Sequence, residues 1–459
     1  MLFNSLDFFI FLPIALLLYQ FASANYRWVI LLAASYAFYA YYEPWYFFLL
    51  FGSTVLAYYL AIAIDSAKNT QQRKLYLTLS IVSNLATIFF FKYFSFFEKE
   101  AGFDIGFDII LPVGISFYTL QTLGYTIDVY RGNHPVEKHF GYFALYHSFF
   151  PQLVAGPIER SYTLLPQLRK NTPVTYENLV LGCNLMIWGF FKKLVIADRV
   201  GIFVTHFFEN PEIYTGGDSW LSTLLFSFQI YCDFSGYTDI ATGVALCFGI
   251  SLMKNFDRPY FSTSIKEFWT RWHISLSSWF KDYVYFPLGG NRVVAWRYAY
   301  NILIVFAISG LWHGANWTFI LWGLLHGSLM IIEHFISPPP TQNKGMNFLK
   351  GIVVFIAVSL LWIFFKANSI HDAITTFSQL TQGGPVTGFT KNFTKLDLLI
   401  SFISIAFLLF CDIYLMRTKS KLFFENSSTF FRIIVLLICI NLLYFFGVFS
   451  SEQFIYFQF

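Results

Sequence analysis

The tract Ser309-Gly310-Leu311-Trp312-His313-Gly314-Ala315-Asn316-Trp317 places one imidazole between two apolar runs, flanked by glycines that let a second backbone come close. An ionisable side chain in such surroundings is costly unless it is paired or faces a cavity, so His313 is a functional candidate by default. The chemistry open to it is proton transfer. An ordinary imidazole pKa of about 6.5 suits a general base working near neutral pH, and the same ring can act as a nucleophile. The competing reading is a structural histidine satisfied by a backbone carbonyl, or an interfacial one among tryptophans.

A second imidazole becomes legible when Lys266 to Asp282 is laid on a helix advancing about 100° per residue. Phe268, Trp269, Trp272, Leu276, Trp279 and Phe280 then share one arc, and Lys266, His273, Ser277 and Lys281 form a neighbouring polar stripe. His273 sits on the border of the two faces. It is either a second catalytic group or a headgroup-depth residue of an interfacial amphipathic helix. The tract Tyr231-Cys232-Asp233-Phe234-Ser235-Gly236-Tyr237-Thr238-Asp239 puts two carboxylates and a glycine into an apolar stretch, read first as caps of a broken helix and second as a cofactor contact. Leu288-Gly289-Gly290-Asn291-Arg292 is either a plain turn or an anion-binding nest. His134, His139 and His147 lack metal-ligand spacing and are placed in or beside a wet loop, so no metal is assigned. Phosphate-loop, dinucleotide-binding, zinc-protease and serine-hydrolase signatures are missing.

The elements that must position these groups follow from composition. Of 459 residues, 56% are apolar, 22% aromatic and only 12% charged, against about 25% charged in soluble domains. That balance excludes a soluble protein and a disordered one, and leaves an all-α integral membrane protein of roughly eleven transmembrane helices with re-entrant and interfacial pieces. One domain is expected over 1–459, with N-terminal spans in 1–97, a core in 98–336 holding both histidines, and C-terminal spans in 337–459. Leu111-Pro112-Val113-Gly114 and Phe150-Pro151-Gln152 read as entries to broken segments. Residues 6–22 read as a retained first span, although Ala22-Ser23-Ala24 resembles a cleavage site. Lys68, Arg73 and Lys74 place the first loop, and Arg417, Lys419, Lys421 and Arg432 the last, on the cytoplasmic side, with the N-terminus outside and 254–297 near the cytoplasmic face. Ser337 to Asn347 and Thr381 to Lys395 read as plain loops. The net charge of +4 is spread over loops, which suits contact with anionic lipid and implies no nucleic-acid partner. Five dispersed cysteines with no CxxC make a disulfide framework or zinc knuckle unexpected. No internal repeat is evident.

Arg271-Trp272-His273-Ile274-Ser275-Leu276-Ser277-Ser278-Trp279 and Gly310-Leu311-Trp312-His313-Gly314 resemble the membrane-bound O-acyltransferase (MBOAT) family. The likeness is strongest to its bacterial branch, typified by the membrane subunit of alginate O-acetyltransferase. It extends over essentially the whole chain through Leu111 to Tyr118, Ala155-Gly156-Pro157, Asp233 to Tyr237, Leu288 to Arg292 and Phe454-Ile455-Tyr456-Phe457-Gln458-Phe459. A D-alanine exporter of teichoic acid synthesis shares the two-histidine logic but fits the flanking motifs less well. The resemblance implies a helical bundle around a central funnel, where a cytoplasmic thioester meets an outward-facing acceptor. By the same analogy His313 is the essential histidine, His273 lines the path and acetyl-CoA is the donor. A periplasmic or extracellular partner places the acetyl group on a polysaccharide outside the bacterial cytoplasmic (inner) membrane. On the predicted topology Lys254, Arg258 and Arg292 stand where CoA phosphates arrive, with Asp233 and Asp239 as weaker cofactor contacts. The rival functions are O-acylation of a lipid or protein hydroxyl, and transport of a polysaccharide or lipid by an intramembrane His/Asp proton relay. Missing repeat symmetry counts against the latter.

Overall fold

The computed structural model describes residues 1–41, 43–103, 106, 109–336, 343–388, 393–418, 427–449, 454 and 455. Most of the Ser337 to Asn347 loop, part of the Thr381 to Lys395 loop, Lys419, Lys421 and residues 456–459 of the terminal motif lie outside them. Every regular element among the described residues is helical. Among the described residues seven helices are long and apolar enough to cross a membrane: Pro44–Ser66, Thr70–Ala101, Tyr176–Glu209, Trp317–Ile336, Lys344–Lys366, Lys395–Thr418 and Thr429–Phe446. This is fewer than the eleven expected. Leu6–Phe21 and Arg27–Ala40 are only 16 and 14 residues long, and Gly216–Cys247, though 32 residues long, carries Asp218, Asp233 and Asp239.

Helix starts follow local chemistry. Asn69 accepts from the Gln72 amide, Ser264 from that of Glu267 and Ser369 from that of Asp372, each satisfying an N-terminal donor that the helix itself cannot. Three π-helical stretches interrupt the α-helical pattern, at Phe89–Tyr93, Phe191–Ala197 and Lys281–Tyr285. Such stretches inside helices are frequent at functional sites.

The chain divides into two compact units. One comprises Met1–Met186 and Tyr237–Met253, the other Ile187–Gly236 and Lys254–Phe459. In the first, the break expected at Leu111-Pro112-Val113-Gly114 is present. Gly114 takes a left-handed φ of 79° and its α-carbon faces the Leu153 carbonyl, where a Cβ would lie 2.5 Å from the oxygen. Only glycine fits both demands. The second break is also present, as Phe140–Ser148 gives way to the short helix Phe150–Leu153. His147 departs from expectation: it is buried at 1% exposure rather than placed beside a wet loop. Its Nδ1 lies 2.7 Å from the Thr54 hydroxyl and its Nε2 2.7 Å from that of Thr122. The broken helix expected around Asp233 and Asp239 is a continuous helix, Gly216–Cys247. Gly236 marks a close approach there and no bend, since a Cβ would meet the Gly189 carbonyl at 2.8 Å.

The second unit holds both candidate histidines. Its organising element is the hairpin of Ala295–His313 and Trp317–Ile336. The two helices touch backbone to backbone: a Cβ on Gly310 would lie 2.2 Å from the Phe319 carbonyl, and one on Gly323 2.2 Å from that of Phe306. Small residues at a helix crossing replace the hydrophobic drive that lipid removes. The crossing fixes His313, the last residue of its helix, against the start of the next.

Candidate active site

His273 is the anomaly of the local sequence. A continuous helix over 266–282 is not what forms: Ile265–Arg271 ends, Trp272 is extended, and His273 sits at φ 43°, ψ 54° before Ile274–Phe280 begins. A non-glycine residue in this region is strained and persists only where tertiary contacts over-determine it. Asn255 supplies them. Its carbonyl accepts from the Ile274 amide at 2.9 Å, and its side-chain Oδ1 accepts from the Ser275 amide at 3.1 Å and the Ser275 hydroxyl at 2.9 Å. Because a backbone N–H can only donate, Oδ1 faces this cluster as an acceptor. The His273 Nδ1, 3.2 Å away, must then carry the proton it donates. The tautomer is fixed, and Nε2 is the basic atom of the ring. Burial pushes His273 down from its ordinary value to about 3, so the ring is neutral at physiological pH.

The His273 and His313 rings lie 6.5 Å apart, centroid to centroid. Trp312 flanks both, 6.0 Å from His273 and 5.0 Å from His313. Trp322 and Phe365 meet His313 edge-on at 5.1 and 5.3 Å, and Phe234 meets His273 edge-on at 4.6 Å. Two imidazoles thus share an aromatic wall that lowers the local dielectric and strengthens the interaction between charges that develop there. His313 occupies the last turn of its helix, where the negative end of the helix dipole stabilises an imidazolium by about 0.3–1 kcal/mol.

The other site candidates fall around this pair unequally. Lys254 and Arg258 lie on the segment that carries Asn255, and both pair with Asp257, Lys254 at 2.8 Å and Arg258 through Nε at 2.8 Å. Arg292 is exposed. The Gly289 and Gly290 amides donate to the Phe286 and Tyr285 carbonyls, and Asn301 Nδ2 holds the Leu288 and Gly290 carbonyls at 3.1 Å each, so this stretch is a closed turn. Asp233 accepts from Lys193 Nζ at 2.6 Å and from the Ile455 amide at 2.9 Å. Asp239 belongs to the first unit.

Sequence reasoning missed the partners of Asp233. Lys193 Nζ also meets Asp198 Oδ1 at 2.7 Å, and neighbouring Lys192 meets the Ser235 hydroxyl at 2.9 Å, all within or beside the π-helical Phe191–Ala197. Charges inside an apolar run were the available signal. Phe454, next to Ile455, packs 5.5 Å from Phe234, which itself covers His273, so Phe454 backs the wall of the site. Asn255 and His326, a buried histidine one helical turn beyond Trp322, were also missed. Among the described residues no group of three or more His, Cys, Asp or Glu could hold a metal ion.

Residues 134–370 match the family model described as MBOAT, membrane-bound O-acyltransferase family, a stretch that includes both histidines. The chain is 38% identical over 423 residues to a probable alginate O-acetylase AlgI of Azotobacter vinelandii, covering 88% of this chain and 84% of that one. It is 36% identical over 416 residues to a peptidoglycan O-acetyltransferase of Helicobacter pylori, covering 82% and 78%. A teichoic acid D-alanyltransferase of Bacillus subtilis is 29% identical over 313 residues, covering 64% of this chain and 78% of its own. With a family match spanning both histidines and relatives this alike over most of their length, the chain belongs to the membrane-bound O-acyltransferase family and is a multi-pass membrane O-acyltransferase.

Proposed function

We propose that this enzyme takes an acetyl group from acetyl-CoA at the cytoplasmic face of the inner membrane. It then passes the group across for O-acetylation of an exported polysaccharide, completed by a separate partner on the outer side. One observation carries the reading above the others: His273 and His313, far apart in sequence, share one aromatic wall with ring centroids 6.5 Å apart. Relatives named for O-acetylation of alginate and peptidoglycan support the acetyl group and the glycan acceptor.

In the proposed reaction an acceptor hydroxyl oxygen attacks the thioester carbonyl carbon while His313 takes the hydroxyl proton. The C–O bond forms, the C–S bond breaks, and the proton passes from the imidazolium to the leaving thiolate, giving an ester and free CoA thiol. General-base catalysis of this kind contributes about 10²- to 10⁴-fold. His273, with Nε2 as its basic atom, lines the acceptor's path. Lys254 and Arg258, sharing the single carboxylate of Asp257, keep one net positive charge for the CoA phosphates close to Asn255. Arg292 adds an exposed cation.

The test is purified protein in sealed vesicles, with radiolabelled acetyl-CoA on the cytoplasmic side and, on the other, a hydroxyl-bearing oligosaccharide in high excess as a surrogate for the acceptor that the partner presents. Acetyl ester on the oligosaccharide, matched by an equal amount of free thiol, is the expected result. Oligosaccharide crossing unmodified without thioester consumption contradicts it and favours a transporter.

A further inference from the structure

The helix Trp317–Ile336 carries a second polar stripe, one that the two-histidine reaction does not use. Thr318, Trp322 and His326 recur every four residues on one face, and all three are fully buried. Neither ring nitrogen of His326 has a hydrogen-bond partner among the described residues, and neither do the Thr318 hydroxyl or the Trp322 Nε1. Two more indoles close around them. Trp269 lies 5.0 Å from His326 and 5.8 Å from Trp322, and Trp362 lies 6.1 Å from His326 and 5.6 Å from Trp322. Their Nε1 atoms are buried and equally unpartnered among the described residues. Leaving a buried polar atom without a partner costs more than a made bond gains, so five unpartnered ring nitrogens on four rings packed together mark a place where something else supplies the partner.

The chemistry of the shell restricts what that is. An indole N–H only donates, and a neutral imidazole donates once and accepts once. Donors therefore outnumber acceptors, and the walls are aromatic, so the fitting group is neutral and rich in carbonyl oxygen. The shell also touches the reaction centre, since Trp322 packs on His313 at 5.1 Å and Trp362 on Trp272, the neighbour of His273, at 4.9 Å.

We propose that Trp269, Trp322, Trp362 and His326 form a hydrogen-bonding cage for the carbonyl groups of the acyl donor's amide arm, with His326 as a positioning residue that sets the thioester against His313. The assignment rests on the acyl-donor reading above. Carbonyls also occur on an acetylated acceptor, and the experiment separates the two sources.

The measurement uses the full-length protein in detergent with two readouts. The first is calorimetric binding of the ketone analogue acetonyl-CoA, which keeps every carbonyl but has no cleavable thioester. The second is thiol release from acetyl-CoA with a hydroxyl-bearing oligosaccharide as acceptor. In His326→Phe the analogue Kd and the donor KM rise about tenfold, the worth of one good buried hydrogen bond. The KM for the oligosaccharide stays unchanged, and His326→Asn, which restores a donor and an acceptor, recovers most of the loss. If His326→Phe does not fold, Trp362→Phe, which deletes one N–H and keeps an aromatic ring, reports the same split at smaller size. Unchanged Kd and donor KM in both variants, as a cage filled by water alone would give, overturn the proposal while leaving acyl transfer standing. A change confined to the oligosaccharide KM assigns the cage to the acceptor and overturns it too. Wild-type protein that neither binds the analogue nor releases thiol contradicts the acyl-donor reading itself, and the cage with it.

Discussion

In the first unit His147 lies between the hydroxyls of Thr54 and Thr122, each 2.7 Å from a ring nitrogen. In the second, His273 spends Nδ1 on Asn255 and takes a strained left-handed backbone, with His313 across from it at the end of a helix. Both settings are buried and apolar, yet they are built for different ends. Burial pushes His147 down to about 4, so the ring is neutral and carries one N–H. One threonine hydroxyl must then donate to the ring while the other accepts, which ties three helices through a single side chain. A histidine with both nitrogens occupied by short bonds is a structural pin. On the proposed reading, one whose partner fixes a single tautomer on a strained backbone presents its Nε2 to the acceptor's path.

The largest effect that can break this contrast is kinetic. His313→Ala should lower single-turnover acetyl transfer by about 10²- to 10⁴-fold, and adding His273→Ala should cost little more, because groups acting as one unit are not additive. Full additivity would separate the two histidines. Next comes stability: His147→Ala should lower the unfolding free energy by about 2–4 kcal/mol through a cavity and orphaned threonine bonds, with turnover per folded molecule kept, as measured by denaturant unfolding and rate assays on the same samples. Asn255→Ala should reduce turnover by about 10- to 100-fold through loss of the fixed tautomer. Asn255→Asp should restore part of it, with the acid limb of the pH–rate profile moved to higher pH, because a carboxylate beside Nδ1–H favours the charged ring.

The smallest effect is a pH dependence of stability with two opposing arms. Burial raises Glu159 from 4.5 to about 7, although it accepts from the Met253 amide and from Thr163 at 3.0 Å. A carboxyl whose folded pKa is raised favours folding while protonated, and that contribution is lost as pH climbs from the unfolded value through about 7. His147 and His273 are lowered from 6.5 to about 4 and about 3, so their contribution is present above 6.5 and is lost as pH falls below it. Melting temperature should therefore decline on both sides of a maximum, and Glu159→Gln should flatten the alkaline arm by a few degrees and steepen the acid arm, because the opposing contributions overlap between pH 4.5 and 6.5.

The parts of this site legible in the sequence are those set by local cost. His313 stands out because an imidazole flanked by glycines inside apolar sequence is expensive. The breaks at Gly114 and Pro151 follow from residue chemistry alone. What could not be read was set by distant partners. Helical periodicity through 266–282 is unbroken, and the upstream segment, through Asn255 and through the Asp257 amide on the Arg271 carbonyl, pulls His273 out of the helix. Asp233 and Gly236 suggest a break, but Lys193 neutralises the carboxylate and the Gly189 carbonyl fills the space above the glycine, so the helix runs on. His326 was hidden in a long apolar run, where only its four-residue spacing from Trp322 and Thr318 hinted at a polar face.

The most direct test of the account is thiol release from acetyl-CoA by wild-type protein, His313→Ala and His147→Ala, compared at equal concentrations of folded protein. The account predicts turnover in the wild type and in His147→Ala, and its loss in His313→Ala. Equal turnover in His313→Ala and wild type, or loss in His147→Ala alone, would contradict it and move the chemistry away from the His273–His313 pair.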